Sequence, residues 1–304
     1  MKTASLVDTK MRDVPQKQRF FWRGAASLLQ SKTGFVGLCI VCGVVLVAIF
    51  ADILAPHDPA ENHLADILKP PVWLDGGSAT YLLGTDNLGR DIFSRILYGT
   101  RVSLLVGVAS VVLAGIIGIF VGILAGYYGG LVDHLLMRIV DSFLAIPSIL
   151  FILVVLAVFE PGIIVLIAVI GFTNWVSYAR VVRGEVLSIR EREFVKAAKT
   201  IGTKDSIIML KHIFPNILPS FIVISTLSVA NTIILEASLS FLGLGIQPPT
   251  VSWGGMLADG RNYLATNWWL ATFPGMAITI TVLGIIFLGD WVRDVLDPRI
   301  QGRK

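Results

Sequence analysis

Polar and ionisable side chains set inside long apolar runs are the places where this sequence could do chemistry. Glu236 and Asn231 stand in one such run, and Asp141 stands in another with Arg138 one turn before it. A charge at membrane depth is costly and faces a cavity or a partner group. Glu236 and Asn231 therefore either line a polar pathway near its outer end, or Glu236 pairs with an arginine of the outer loops and fixes structure. Asp141 reads as an ion pair, inside its helix or between subunits. Asp290, Arg293 and Asp294 read as a solvated helix end. The stretch from His57 to His63 carries two histidines and two carboxylates in a proline-bearing loop, a solvated set rather than a metal site. Cys39 and Cys42 lie within an apolar run and read as small fillers. All four histidines fall in loops or at span edges, and no nucleophile elbow is present, which argues against an intramembrane enzyme. The glycine-rich phosphate loop of an ATPase is also missing, since Lys204 follows Gly202 and Thr203 without a second glycine at the required spacing. No catalytic residue and no metal ligand are expected, so energy must come from a partner or from an ion gradient.

These groups need a frame, and composition says which. The chain has 304 residues, of which 55% are hydrophobic and 15% charged. A soluble domain carries about 25% charged residues. The mean hydropathy of +0.77 points to the bilayer as solvent. The net charge is +4, but the basic residues gather in a few segments, which speaks for topology and not for nucleic acid. Six apolar runs are long enough to cross: 34–54, 102–127, 135–159, 163–178, 217–242 and 269–288. The first exceeds a signal-peptide core and reads as a retained span. Basic residues mark the N-terminus, the loop after the fourth run and the tail, which places both termini in the cytoplasm. The expected organisation is an all-α integral membrane protein. It has a cytoplasmic segment 1–33, a first span 34–54, an outer loop 55–101, a core 102–292 with a cytoplasmic insert 184–216, and a tail 293–304. Arg90, Arg95 and Arg101 fit the outer loop imperfectly, with Asp86 and Asp91 as partial offsets. Asp86 is the expected cap of an amphipathic outer helix bearing Ile92, Phe93, Ile96 and Leu97. Gly118, Gly122 and Gly126 recur at four-residue spacing, which lets two helices approach closely. Pro147 and Pro274 are expected to kink their spans.

The insert is polar where its neighbours are not. Ser188 and Glu191 fit a capping box, so a helix is expected to begin there. Phe194, Ala197, Ala198 and Ile201 then share a face, away from Arg192, Lys196 and Lys199. Gly202 ends this helix in a left-handed cap. Thr203 and Asp205 cap a second short helix bearing Ile207, Leu210 and Phe214, and Pro215 stops it. Such an elbow fits a groove on another protein or lies flat on anionic lipid. The residues alone leave both open.

The run Ala197-Ala198 with Gly202, followed by a proline-ended helix, resembles the EAA loop of permease subunits of ATP-binding-cassette importers. Lys196 occupies the place usually held by glutamate, with Glu193 one turn earlier, and His212 stands where isoleucine is common. Both departures are typical of the peptide and nickel branch. Residues 34–59, 82–95, 236–257 and 288–299 match that branch too, so the resemblance covers nearly the whole chain. It is to the C-type permeases of dipeptide and oligopeptide importers. The resemblance implies a type I importer permease fold with six transmembrane helices in the bacterial cytoplasmic (inner) membrane. It implies a second, homologous permease, two cytoplasmic ATPases, an extracytoplasmic binding protein and membrane lipid as partners, and no nucleic acid. ATP and Mg would be used by the ATPases, with no cofactor on this chain. The elbow becomes a coupling loop whose docking residues are Glu193, Phe194, Lys196, Ala197, Ala198, Gly202, Thr203, Lys204 and His212. The pathway or gate falls to Asn231, Glu236, Ser240 and Phe241. Di- and oligopeptides are the implied cargo, with nickel chelates or opines as the alternative. From another class, an autonomous ion-coupled transporter would use Asp141 and Glu236 as its ion sites.

Overall fold

Among the described residues, which are 28, 31–160 and 162–296 of a computed structural model, every regular element is helical. Most of the expected N-terminal segment and tail lies outside them. Helix α1 spans Lys32–Leu54, and its first turn is closed by the Ser31 hydroxyl, which accepts from the Gly34 amide at 3.2 Å. An irregular loop leads to α2, Ile92–Tyr128. A bent pair follows, α3 at Gly130–Leu144 and α4 at Ser148–Val158. Helix α5 is Ile163–Arg190 and α6 is Glu193–Thr200. Helix α7 runs Asp205–Phe241, α8 is Trp253–Gly260 and α9 is Trp269–Leu296. Five of these are long and apolar enough to cross a bilayer, and the bent pair makes a sixth crossing if taken as one span.

Four sequence expectations need correction. The outer amphipathic helix and the second span are one helix of 37 residues. At 1.5 Å per residue that is about 55 Å, well beyond a hydrocarbon core of about 30 Å, so its first turns stand outside the core, beside the loop that precedes them. Its cap is Asp91, whose carboxylate accepts from the Ser94 amide at 2.8 Å, and not Asp86. Second, the third span breaks outright at Pro147, and its halves meet at 79°. The Phe143 ring holds this corner edge-on to Phe151 across the break and to Phe172 and Trp175 of α5. Third, α5 does not end near Tyr178 where the apolar run ends. Its cations find partners that carry it on: Arg180 pairs with Asp141 at 2.7 Å, Arg183 Nη2 donates to Asp133 at 2.6 Å, and Arg190 donates to the Gly126 carbonyl at 2.8 Å. Ser188 is thus inside α5 and caps nothing. Fourth, Pro215 does not stop a helix. A wide π-type turn at Ile208–Ile213 precedes it and relieves the clash of its ring with the preceding turn, so the helix runs on into the membrane. Pro274 likewise sits within an unbroken α9.

Helix α2 is central because glycines let its neighbours in on two sides. Toward α5, a Cβ at Gly122 would meet the Ala179 carbonyl oxygen and Val182 Cβ, each at 2.7 Å. A Cβ at Gly126 would meet Val186 Cβ at 2.7 Å, and one at Gly118 would strike Tyr178. Toward α7, a Cβ at Gly107 would meet Ile233 at 2.9 Å and one at Gly115 would meet Phe221 at 2.6 Å. Helix α9 packs on α1 by the same device at Gly37, where a Cβ would meet the Leu288 amide at 2.6 Å.

Arg90 and Arg95, which sat awkwardly with an outer loop, are not free cations. Asp86 pairs with Arg90 at 2.7 Å and with Arg95 at 3.2 Å, and both arginines reach Asp259 of α8, at 3.3 and 3.2 Å. The network ties the loop to α8, and the Trp253 indole donates to the Ile96 carbonyl at 3.0 Å beside it. Elsewhere in the loop the Lys69 ammonium, and then the Tyr81 hydroxyl, hold the Asp66 carboxyl below the usual carboxylate range.

Overpacking a tight seam costs about 1–3 kcal/mol. Gly122→Val is therefore expected to lower the melting temperature of the detergent-purified chain by several degrees. Gly184→Ala, where an added Cβ meets nothing within 4 Å, should leave it unchanged or raise it slightly.

Candidate functional site

The polar insert is an elbow whose inner side is cemented to the membrane helices and whose outer side is bare. Val195 and Ala198 point inward. They join a buried apolar cluster with Ile123 and Tyr127 of α2, Val186 and Ile189 of α5, and Ile208 and Ile213 of α7. Lys199 Nζ lies 4.5 Å above the Tyr127 ring, and the Tyr127 hydroxyl donates to Asp205. Asp205 therefore serves as a tether and does not cap a helix with its side chain, and neither does Thr203. Gly202 has φ +79° and closes α6, with its amide donating to Lys199 and the Thr203 amide donating to Ala198. That left-handed conformation is open to glycine at no steric cost.

The expected common face of Phe194, Ala197, Ala198 and Ile201 divides. Ala198 goes to the core, whereas Phe194, Ala197 and Ile201, at spacings of three and four, stay outside. Phe194 is 40% exposed and Ile201 81% exposed. Leu210, which sequence reasoning did not assign to docking, joins them at 67%. The Phe194 ring lies 6.3 Å from that of His212. Glu193, Lys196 and Lys204 are exposed around this patch, and Thr203 is half-buried. Lys196 pairs with Glu191 at 3.1 Å and, as the leading cause, holds the Glu191 carboxyl below its ordinary value. Glu191 is thus an ion-pair partner, not half of a capping box. The elbow offers an apolar knob rimmed by charge, which is the form of a protein-docking surface.

The four residues assigned to a pathway fall on two sides of α7. Asn231 and Phe241 are exposed, together with Ile234 and Ser238, on one helical stripe. Glu236 and Ser240 are buried on the other. The Glu236 carboxylate accepts from the Ser240 hydroxyl at 2.8 Å and from Ser103 of α2 at 3.4 Å, and the Ser252 hydroxyl at the start of α8 faces it as well. No arginine approaches it among the described residues. Both sequence readings of Glu236 therefore change: its partners are serines, and in this chain it knits α2, α7 and α8 together. The exposed stripe of α7 instead borders a cleft of about 490 Å³ against α8 and α9, lined by Ile234, Ser238, Phe241, Leu257 and Thr279. Asp141, for its part, pairs across to α5 and not with Arg138. Ser238 could have been found from its spacing to Asn231 and Phe241. The tether between Tyr127 and Asp205 could not, because 78 positions separate the two.

The chain matches two family profiles. Residues 118–302 match the binding-protein-dependent transport system inner membrane component, and residues 20–71 match the N-terminal TM domain of oligopeptide transport permease C. It is 40% identical to the di/tripeptide transport system permease protein of Pseudomonas aeruginosa over 94% of both chains. It is 45% identical to the dipeptide transport system permease protein of Escherichia coli over 90% of this chain and 91% of the other. It is 39% identical to the oligopeptide transport system permease protein of Bacillus subtilis over 95% and 93%. A chain of the MetNI methionine ABC transporter, solved in inward-facing conformations, superposes with a TM-score of 0.54 at 20% identity. The match covers 66% of this chain and 96% of that one, and it shows the type I importer fold. With its spanning helices, its fold and its full-length relatives in agreement, the chain belongs to the family of binding-protein-dependent transport system inner membrane components.

Proposed function

We propose that this chain is one of two homologous permease subunits of an ATP-driven importer of di- and oligopeptides. It forms half of the pathway, while two cytoplasmic ATPase subunits bind ATP and Mg. An extracytoplasmic binding protein delivers the cargo. The relatives named for dipeptide, tripeptide and oligopeptide transport support the cargo. The observation that carries the mechanism is the elbow. Its apolar knob is free, while its base is fixed to α2, α5 and α7. A partner that grips Phe194, Ala197, Ile201 and Leu210 therefore moves three spanning helices together and not a loose loop. The elbow is cytoplasmic in this reading, as are both termini, because the cations of α5 and the insert lie on that side. The stripe of Asn231, Ile234, Ser238 and Phe241 faces the pathway, with Glu236 and Ser240 behind it as its support.

Three outcomes follow. Ile201→Asp is expected to abolish co-purification of ATPase subunits and peptide uptake together while the permease still inserts. Retained attachment with normal uptake would remove the lever. In right-side-out vesicles, Lys204→Cys in a chain lacking Cys39 and Cys42 should resist membrane-impermeant maleimide, and it should react once the vesicles are inverted. Glu236→Gln keeps the shape and serine contacts of the carboxyl and should retain uptake, whereas Glu236→Leu strands three hydroxyls. At about 1–3 kcal/mol for each unsatisfied group, the leucine variant should lower the yield of folded protein, measured by size-exclusion chromatography.

A further inference from the structure

The break in the third span opens a second cleft, of about 250 Å³, between α3, α4 and the middle of α5. Its size is close to the lower end of ligand pockets, about 300 Å³. Phe143 and Phe151 wall it on the apolar side, and Ser148, Asn174 and Ser177 supply its polar side. Among the described residues none of these three polar side chains makes a hydrogen bond, and Asn174 is half-buried. Asn174 stands eleven residues into α5, about 16 Å from its start and so near the middle of a core of about 30 Å. Irregular backbone and unpartnered amides at that depth are tolerated only where they meet protein or a water-filled cavity.

The surroundings indicate which. One turn below Ser177, Arg180 pairs with Asp141, and these side chains are 56% and 61% exposed. At about 26 Å along α5 that pair stands past the apolar run, near the bilayer edge, where charges reach water. Ser148 and Ser177 are exposed and Asn174 is half-buried, a polar wall that hydrocarbon does not suit and an aqueous pathway does. The lining holds no charge of its own. It offers carboxamide and hydroxyl groups, which donate and accept, beside aromatic faces. That set suits a neutral amide and gives no purchase on a charged side chain.

Resting on the peptide-importer reading above, we propose that this mid-membrane cleft is the chain's cargo-contact site. Asn174, Ser177 and Ser148 bond the main-chain amide of a passing peptide, and Phe143 and Phe151 lie against its side chains. Such a site reads what all peptides share and ignores what distinguishes them.

The test uses cells carrying the complete transporter, with radiolabelled alanyl-alanine and its ester analogue alanyl-lactate as probes. Losing the Asn174 bonds through Asn174→Leu should lower alanyl-alanine uptake about tenfold and erase the preference for amide over ester, with ATPase co-purification unchanged. Ser177→Ala should move the same preference less. Uptake and preference both at wild-type values in the two variants would overturn the site. Independently of cargo, Asn174→Cys in a chain lacking Cys39 and Cys42 should react with a water-soluble methanethiosulfonate in membranes and be protected by alanyl-alanine. An unreactive thiol there would place the cleft against lipid or protein and overturn the proposal as well. Wild-type uptake of alanyl-alanine in a strain lacking the chain would instead remove the peptide reading beneath it.

Discussion

Backbone-to-backbone contact between α2 and α5 is the constraint from which the rest of this structure follows. Lipid gives helices no hydrophobic reason to associate, so close packing and hydrogen bonds must hold them. Gly118, Gly122 and Gly126 remove three side chains from one stripe of α2, and Tyr178, Ala179, Val182 and Val186 of α5 fill the space. Gly107 and Gly115 do the same for α7 on another side. With α2 held between two neighbours, its C-terminal end becomes a fixed post. Arg190 closes on the Gly126 carbonyl there, and Tyr127 receives Lys199 and Asp205.

In the coupling role proposed for it, that post is what lets a polar insert transmit force. A surface loop joined to its scaffold only at its ends would absorb a push by bending. Here the elbow shares a buried cluster with three spanning helices, and Val195 and Ile208 have no exposed surface at all. Displacement of the knob is thus displacement of α2, α5 and α7. The π-type turn before Pro215 contributes in the same way, since it joins the elbow to α7 without a break in the helix.

Polar groups at membrane depth serve two different ends in this chain. Glu236 is enclosed by the hydroxyls of serines from α2, α7 and α8, and it spends its hydrogen-bonding capacity on its own fold. Asn174 and Ser177 spend none of theirs, and they stand beside a broken helix and an open ion pair. The contrast lies in satisfaction and not in polarity. A carboxylate draws the eye in a sequence, yet the unpaired amide is the better sign of a place where something else must bind.

Much was legible in the residues. Apolar length marks spans because the bilayer has a fixed thickness, and glycine spacing marks a close seam because 3.6 residues make a turn. Gly202 marks a left-handed cap because other side chains are strained there. The motifs around Ala197, Glu236 and Gly84 carry the family because several separated stretches agree. What only the tertiary structure decided were properties of pairs distant in the chain. Helix α5 outruns its apolar stretch because Arg180 and Arg183 meet Asp141 and Asp133 of α3, and the third span breaks fully at Pro147 because Phe143 finds Phe172 and Trp175 to rest on. Glu236 turns inward because Ser103, 133 residues away, lies opposite it. One-dimensional periodicity gives each helix a face, but which face meets lipid, water or protein depends on neighbours that local sequence does not name.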